Sequence, residues 1–171
     1  MKIKYLILLL FTTIVTFAQN SNSFDIARKG SLSDMKLLFE KDKNSINAID
    51  EKGSSMLILA CYRGNHEVAQ FLVDNGADLN YVSTNGTALM ACVFKNEFQL
   101  LDDLLQKKAN IDLTDANGQT ALMLAVQLNN VQMVKKIVSS GANKSLKCKQ
   151  NKTAFEYAVF SGNEQIINIL K

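Results

Sequence analysis

The chain has 171 residues, a formal net charge of +3, three Cys, one His and no Pro or Trp. One histidine and scattered cysteines leave no ligand cluster for a metal, and so small a charge gives no footprint of a nucleic-acid binder. The length fits about one domain with room for a core.

The N-terminus reads as a targeting segment. Lys2 and Lys4 precede an apolar run over roughly residues 5–17, and Thr16-Phe17-Ala18 precedes Gln19. A basic start, a short apolar core and a small residue at the cut predict a cleaved secretory signal peptide over residues 1–18. The run is shorter than the ~20 residues of a spanning helix, so no stable membrane insertion is expected after cleavage. No Cys follows the cut to carry a lipid. The expected location is therefore periplasmic or secreted. Cleavage would remove two lysines and no acids, leaving 153 residues with a net charge of +1.

After a short segment over residues 19–23, the chain repeats itself. Ser55-Met56-Leu57-Ile58-Leu59-Ala60, Thr87-Ala88-Leu89-Met90-Ala91-Cys92, Thr120-Ala121-Leu122-Met123-Leu124-Ala125 and Thr153-Ala154-Phe155-Glu156-Tyr157-Ala158 start 32, 33 and 33 residues apart. Ser55, Thr87, Thr120 and Thr153 are suited to cap helix N-termini, because a hydroxyl accepts an orphan N–H of the first turn. Leu57, Leu89, Leu122 and Phe155 share a helix face with the small residue three positions on. Gly64, Asn96, Asn129 and Gly162 tolerate the left-handed conformation that ends helices. A second helix follows each, with apolar residues at helical period: Val68, Phe71 and Leu72; Leu100, Leu101 and Leu104; Met133, Val134 and Ile137; Ile166, Ile167, Ile169 and Leu170.

Turn-rich segments separate the units: Asp50-Glu51-Lys52-Gly53, Ser83-Thr84-Asn85-Gly86, Asp115-Ala116-Asn117-Gly118 and the weaker Cys148-Lys149-Gln150-Asn151. Asn-Gly is a tight-turn signal, so short projecting hairpins are expected there. A degenerate first unit over Phe24–Asn47 follows the same pattern through Ala27-Arg28-Lys29-Gly30, Met35, Leu37 and Leu38.

Cys92 stands where other units have Ala, and Cys61 adjoins Ala60; both read as small buried residues. Packed helices lie ~8–10 Å apart, beyond the ~7 Å limit for bridged Cα atoms, which disfavours a Cys61–Cys92 disulfide. Cys148 lies in a hairpin and is expected to be a more exposed thiol, with an intermolecular disulfide as the alternative to a free one.

These units resemble ankyrin repeats, whose period they share. Gly118–Ala125 carries Gly-x-Thr-x-Leu-x-x-Ala intact, and Gly64, Val68, Phe71, Leu72 and Gly76-Ala77-Asp78-Leu79-Asn80 resemble the second half of the family pattern. The chain is similar to exported bacterial members. The resemblance implies an all-α solenoid of about five helix-turn-helix units with short β-hairpin-like loops, over repeats at about 24–49, 50–82, 83–114, 115–147 and 148–171. Three departures stand out. The family's Pro after the capping residue is Met56, Ala88, Ala121 or Ala154. Its His, which links neighbouring repeats by hydrogen bonds, is Ile58, Met90, Met123 or Glu156, so a stack leaning more on apolar contact is expected. Lys108 replaces a Gly that would hold positive φ, at a cost of about 1 kcal/mol.

The resemblance also implies a partner lying along the hairpin tips and the concave face of the first helices. The residues just before each inter-helix Gly or Asn would face it: Arg28, Lys29, Tyr62, Arg63, Phe94, Lys95, Gln127, Leu128, and Phe160 with Ser161. Tyr62, Phe94 and Phe160 align as an aromatic stripe, with positive charge at its N-terminal end. The competing reading is that the aromatics cover their own hairpins and the cations are simply solvated. Glu51, Lys52, Asn85, Asn117, Gln119 and Lys149 are the candidate tip residues. No nucleophile elbow, phosphate loop or HExxH segment occurs, and His66 beside Glu67 cannot face it on a helix. The expectation is a monomeric, non-catalytic protein-binding module without cofactor or metal, and the resemblance to exported bacterial members implies support of an envelope enzyme such as a catalase. The alternatives are an inhibitor or immunity protein that masks a toxin, and a self-associating structural protein of the envelope.

Overall fold

A computed structural model describes residues 23–171. The signal-peptide segment expected over residues 1–18 lies outside the described residues. The described residues form ten α-helices in antiparallel pairs: α1 (Ser23–Lys29) with α2 (Leu32–Lys41), α3 (Met56–Arg63) with α4 (His66–Asp74), α5 (Ala88–Lys95) with α6 (Phe98–Gln106), α7 (Ala121–Gln127) with α8 (Val131–Ser139), and α9 (Ala154–Ser161) with α10 (Glu164–Leu170). A short 3-10 turn, Lys43–Asn47, follows α2. The architecture is the all-α repeat solenoid that the resemblance implies.

The capping residues explain where the inner helices begin. The side chains of Ser55, Thr87, Thr120 and Thr153 accept from the backbone N–H of Ile58, Met90, Met123 and Glu156. Glu156 also returns a bond to the Thr153 N–H, completing a capping box. The inner helices end where Gly64, Asn96, Asn129 and Gly162 take positive φ. Lys108 holds φ 65°, so a lysine occupies the left-handed position that the family gives to glycine. The outer helices pack a single apolar edge inward: Val68 and Leu72, Leu100, Leu101 and Leu104, Met133, Val134 and Ile137, and Ile166 and Leu170 are buried. Phe71, Ile167 and Ile169 pack against that core only partly buried.

The inner helices stack α1 on α3, α3 on α5, α5 on α7 and α7 on α9. Ala60, Cys92, Ala125 and Ala158 have no exposed surface; a larger side chain there would overpack the helix–helix seam. Cys61 and Cys92 are both free and wholly buried. A hydrogen bond to Cys61, together with burial, drives the Cys92 thiol far above its ordinary pKa, which keeps it protonated and unreactive.

Where the family uses His, Ile58, Met90 and Met123 are buried, as the expected apolar reliance requires. Polar links between repeats nonetheless exist, built from Asn and Asp in the loops after the second helices. The side chain of Asn47 accepts from the Asp78 N–H at 2.8 Å, Asn80 from Asn110 at 2.8 Å, and Asp112 from Asn143 at 2.9 Å. At the other end of the helices, Asn130 donates to Asn96 at 2.7 Å and Asn163 donates to Asn129 at 2.6 Å. His66 does not use neighbouring Glu67; its Nε2 meets Glu97 Oε2 of the next repeat at 2.8 Å.

The hairpins are tight turns marked by single bridges, Ile49 to Ser55, Ser83 to Gly86 and Thr114 to Thr120. Asp50 fixes its turn by accepting from the N–H groups of Lys52 and Ser54 at 3.0 and 2.8 Å. Asp115 does the same with Asn117 and Gln119 at 2.7 and 2.8 Å. Cys148 replaces these aspartates. It is buried, 6% exposed, which corrects the expectation of an exposed thiol. The cause is its role in the turn. Its sulfur receives the backbone N–H groups of Gln150 and Lys152, the same two positions, and lies 3.2 Å from the Tyr157 hydroxyl. Burial raises the thiol's pKa, but these hydrogen bonds outweigh it and hold the thiol below its ordinary value.

Candidate functional site: the concave face

The inner helices and the hairpins enclose a groove of about 540 Å³. Its floor is apolar: Ile58 and Leu59 of α3, Met90 and Ala91 of α5, and Leu124 of α7. One rim is formed by Tyr62, Arg63 and Phe94; the other by Lys52, Asn85, Asp115 and Gln119 of the hairpins. Tyr62 and Phe94 each lie one helical turn beyond a floor residue, Ile58 and Met90. That i,i+4 spacing puts floor and rim on one face.

The two rim aromatics are stacked, with ring centroids 5.5 Å apart and planes 13° from parallel. They remain 44% and 50% exposed. Two cations border the stack: Arg63 lies 6.0 Å and Lys95 5.9 Å from the Tyr62 ring centroid. The negative face of the ring attracts both and restricts where their charges lie. Among the described residues, neither has a carboxylate within ion-pairing reach.

Other positions expected on this face behave differently. Arg28 lines the groove but binds Asp50 at 2.7 Å and Asp25 at 3.2 Å. Its charge is neutralised within the fold and does not extend the basic end as expected. Lys29, Gln127 and Leu128 are exposed but do not line the groove, and Lys95 borders the stack without lining the groove. Phe160 is 88% exposed and stands apart from the stacked pair, with Lys152 5.7 Å from its ring. The expected stripe of three aligned aromatics is therefore one stacked pair and one isolated ring. Among the tip residues, Glu51, Lys52, Asn85, Asn117 and Lys149 are exposed. Gln119 is half-buried and donates to Tyr157 at 3.4 Å.

Residues 23–115 and 89–171 each match the family model described as ankyrin repeats in three copies. The chain belongs to the ankyrin repeat family. Over 69 residues it is 35% identical to a putative ankyrin repeat protein of Borreliella burgdorferi, a stretch covering 40% of this chain and 32% of that one. Over 97 residues it is 30% identical to ankyrin repeat and SAM domain-containing protein 6 of Rattus norvegicus, covering 56% of this chain and 11% of the relative. A 45-residue stretch is 47% identical to an acyl-CoA-binding domain-containing protein 6 homolog of Dictyostelium discoideum, covering 26% and 16%. The chain thus spans a third or less of these relatives' own lengths.

Ankyrin repeats are protein–protein interaction modules and in general non-catalytic. A stack of such units presents an extended concave surface, which is where the ankyrin groove of this chain lies. Of its rim, Tyr62, Arg63, Phe94, Lys52, Asn85 and Gln119 are positions that the sequence singles out as candidates, and Asp115 is not. Its floor, Ile58, Leu59, Met90, Ala91 and Leu124, was missed because those side chains read as core; stepping back one helical turn from Tyr62, Phe94 and Leu128 would have found most of them. Among the described residues, no helix is long and apolar enough to cross a membrane, and no group of three or more His, Cys, Asp or Glu could hold a metal.

Proposed function

We propose that this chain is an exported, non-catalytic binding module that holds a protein partner against the N-terminal half of its concave face. The observation that carries the reading is the Tyr62–Phe94 stack, half-exposed above an apolar groove and bordered by two unpaired cations. Large aromatics and Arg are enriched at the centres of interfaces, where a few residues supply most of the affinity. Burying such a pair in the fold would have been the cheaper arrangement for a domain that binds nothing.

Export to the periplasm or medium rests on the basic start, apolar run and Ala18-Gln19 boundary. The partner is an exported or envelope protein, and the module supports an envelope enzyme such as a catalase. The test is capture from the cell's own envelope and secreted fractions by the purified exported chain, with a Phe94→Ala/Arg63→Ala variant beside it. One dominant protein, lost with the variant, is the expected result. Equal capture by a correctly folded variant rejects this face. N-terminal sequencing of the exported chain should begin at Gln19; retention of Met1 in the cytoplasm rejects export.

A further inference from the structure

We infer that the groove recognises an extended acidic segment carrying one large apolar side chain, with that side chain on the groove floor and flanking carboxylates at Arg63 and Lys95. This rests on the concave-face reading above and gives the partner its chemistry. The floor is apolar and open, large enough for a phenylalanine or leucine side chain together with part of its backbone. Beside the Tyr62–Phe94 stack on its rim, Arg63 and Lys95 stand outside the ion pairs of the described residues. Arg28, which also lines the groove, has its carboxylates within the fold, whereas Arg63 and Lys95 face the Tyr62 ring. A ring holds a cation in place without neutralising it, so the two charges are positioned before a partner arrives. A carboxylate placed there keeps both cation–ring contacts and adds charge-assisted hydrogen bonds.

Aromatic stacking beside cations also suits single-stranded nucleic acid. One feature favours the peptide. The floor offers aliphatic and thioether groups rather than further rings on which successive bases could stack.

The test is fluorescence anisotropy on the full exported chain with four defined probes. The first is a capped, labelled peptide of Glu and Asp around one central Phe. The second has Ser for that Phe, the third has Lys for the acids, and the fourth is oligothymidylate. The first is expected to bind at least ~10-fold tighter than each of the others, with affinity falling as salt is added. Arg63→Glu should weaken it ~10-fold or more, while Lys135→Glu, the same charge change on an outer helix, should leave it within twofold. Equal binding of acidic and basic peptides, tighter binding of oligothymidylate, or no effect of Arg63→Glu with an unchanged circular dichroism spectrum overturns the inference. A dimer lost on Phe94→Ala would give the groove to a second copy and overturn it too. Failure here with capture still dependent on Phe94 and Arg63 removes only the partner's chemistry; capture independent of both removes the face itself.

Discussion

The two ends of the concave face carry similar residues and arrange them differently. Toward the N-terminus, Tyr62 and Phe94 stack, and Arg63 and Lys95 gather around one ring. Toward the C-terminus, Phe160 projects alone with Lys152 near it, after Gln127 and Leu128 have interrupted the aromatic series. A ring in an aligned position becomes part of a surface only when the next repeat supplies a second ring within stacking distance. Alignment along a solenoid is necessary, and adjacency decides.

The largest expected effect comes from cutting the two ends apart. Leu122 is buried in α7, the inner helix between them. Leu122→Ala should cost about 2–5 kcal/mol. Because each repeat contacts only its neighbours, hydrogen exchange should then show residues 121–171 losing protection before residues 56–106. Simultaneous loss over both regions would mean that they are not separable units.

Next comes the aromatic contrast. Phe94→Ala should weaken partner capture by on the order of 10-fold, whereas Phe160→Ala should change it less than twofold. Equal losses would restore a continuous stripe and erase the difference between the ends.

Smaller effects are expected at the hairpins. Cys148→Ala removes an acceptor for two turn N–H groups and should cost about 1 kcal/mol. Cys148→Asp, which installs the residue of the Asp50 and Asp115 turns, should recover that loss or exceed it in urea titrations. If Ala and Asp behave alike, the sulfur does not organise the turn.

The smallest effect is the response to acid. Asp34 and Glu156 close capping boxes near the two ends. Hydrogen bonds from the Ser31 side chain and backbone lower Asp34 below its ordinary 3.8, and those from the Thr153 backbone and side chain lower Glu156 below its ordinary 4.5. Asp74 on α4 is lowered too, first by Gln70 and then by Lys107. A carboxyl with a depressed folded pKa binds fewer protons folded than unfolded. The stability it contributes is therefore present above the unfolded value and is lost as pH falls through the folded one. Denaturant midpoints should decline below those ordinary values, and Glu156→Gln should flatten the decline. All three carboxyls are exposed, so solvent and salt should keep the change small.

The repeat could be read because three local signals coincide in each unit: a hydroxyl that caps, an apolar face at helical period, and Gly or Asn where the helix must end. Each depends on near neighbours in the chain. Lys108 was legible for the same reason, as a side chain standing where the pattern demands positive φ. The inter-repeat polar links were not. Asn47, Asn80 and Asp112 read as ordinary turn residues, and their acceptor role depends on a backbone N–H 30 or 31 residues further on. Cys148 was aligned correctly with Asp50 and Asp115, yet exposure was inferred from hairpin position alone. The aspartates of its sister turns were the signal that the side chain turns inward to bind N–H groups.

The sequence by itself determined the all-α repeat and the helix starts and stops, because both follow from residue spacing over a single turn or a single unit. Only the tertiary structure decided that Arg28 is neutralised by Asp50, that Arg63 and Lys95 are not, and that two of three aligned aromatics meet. Those outcomes depend on how one repeat is set against the next, and distances between repeats are fixed by packing across the stack.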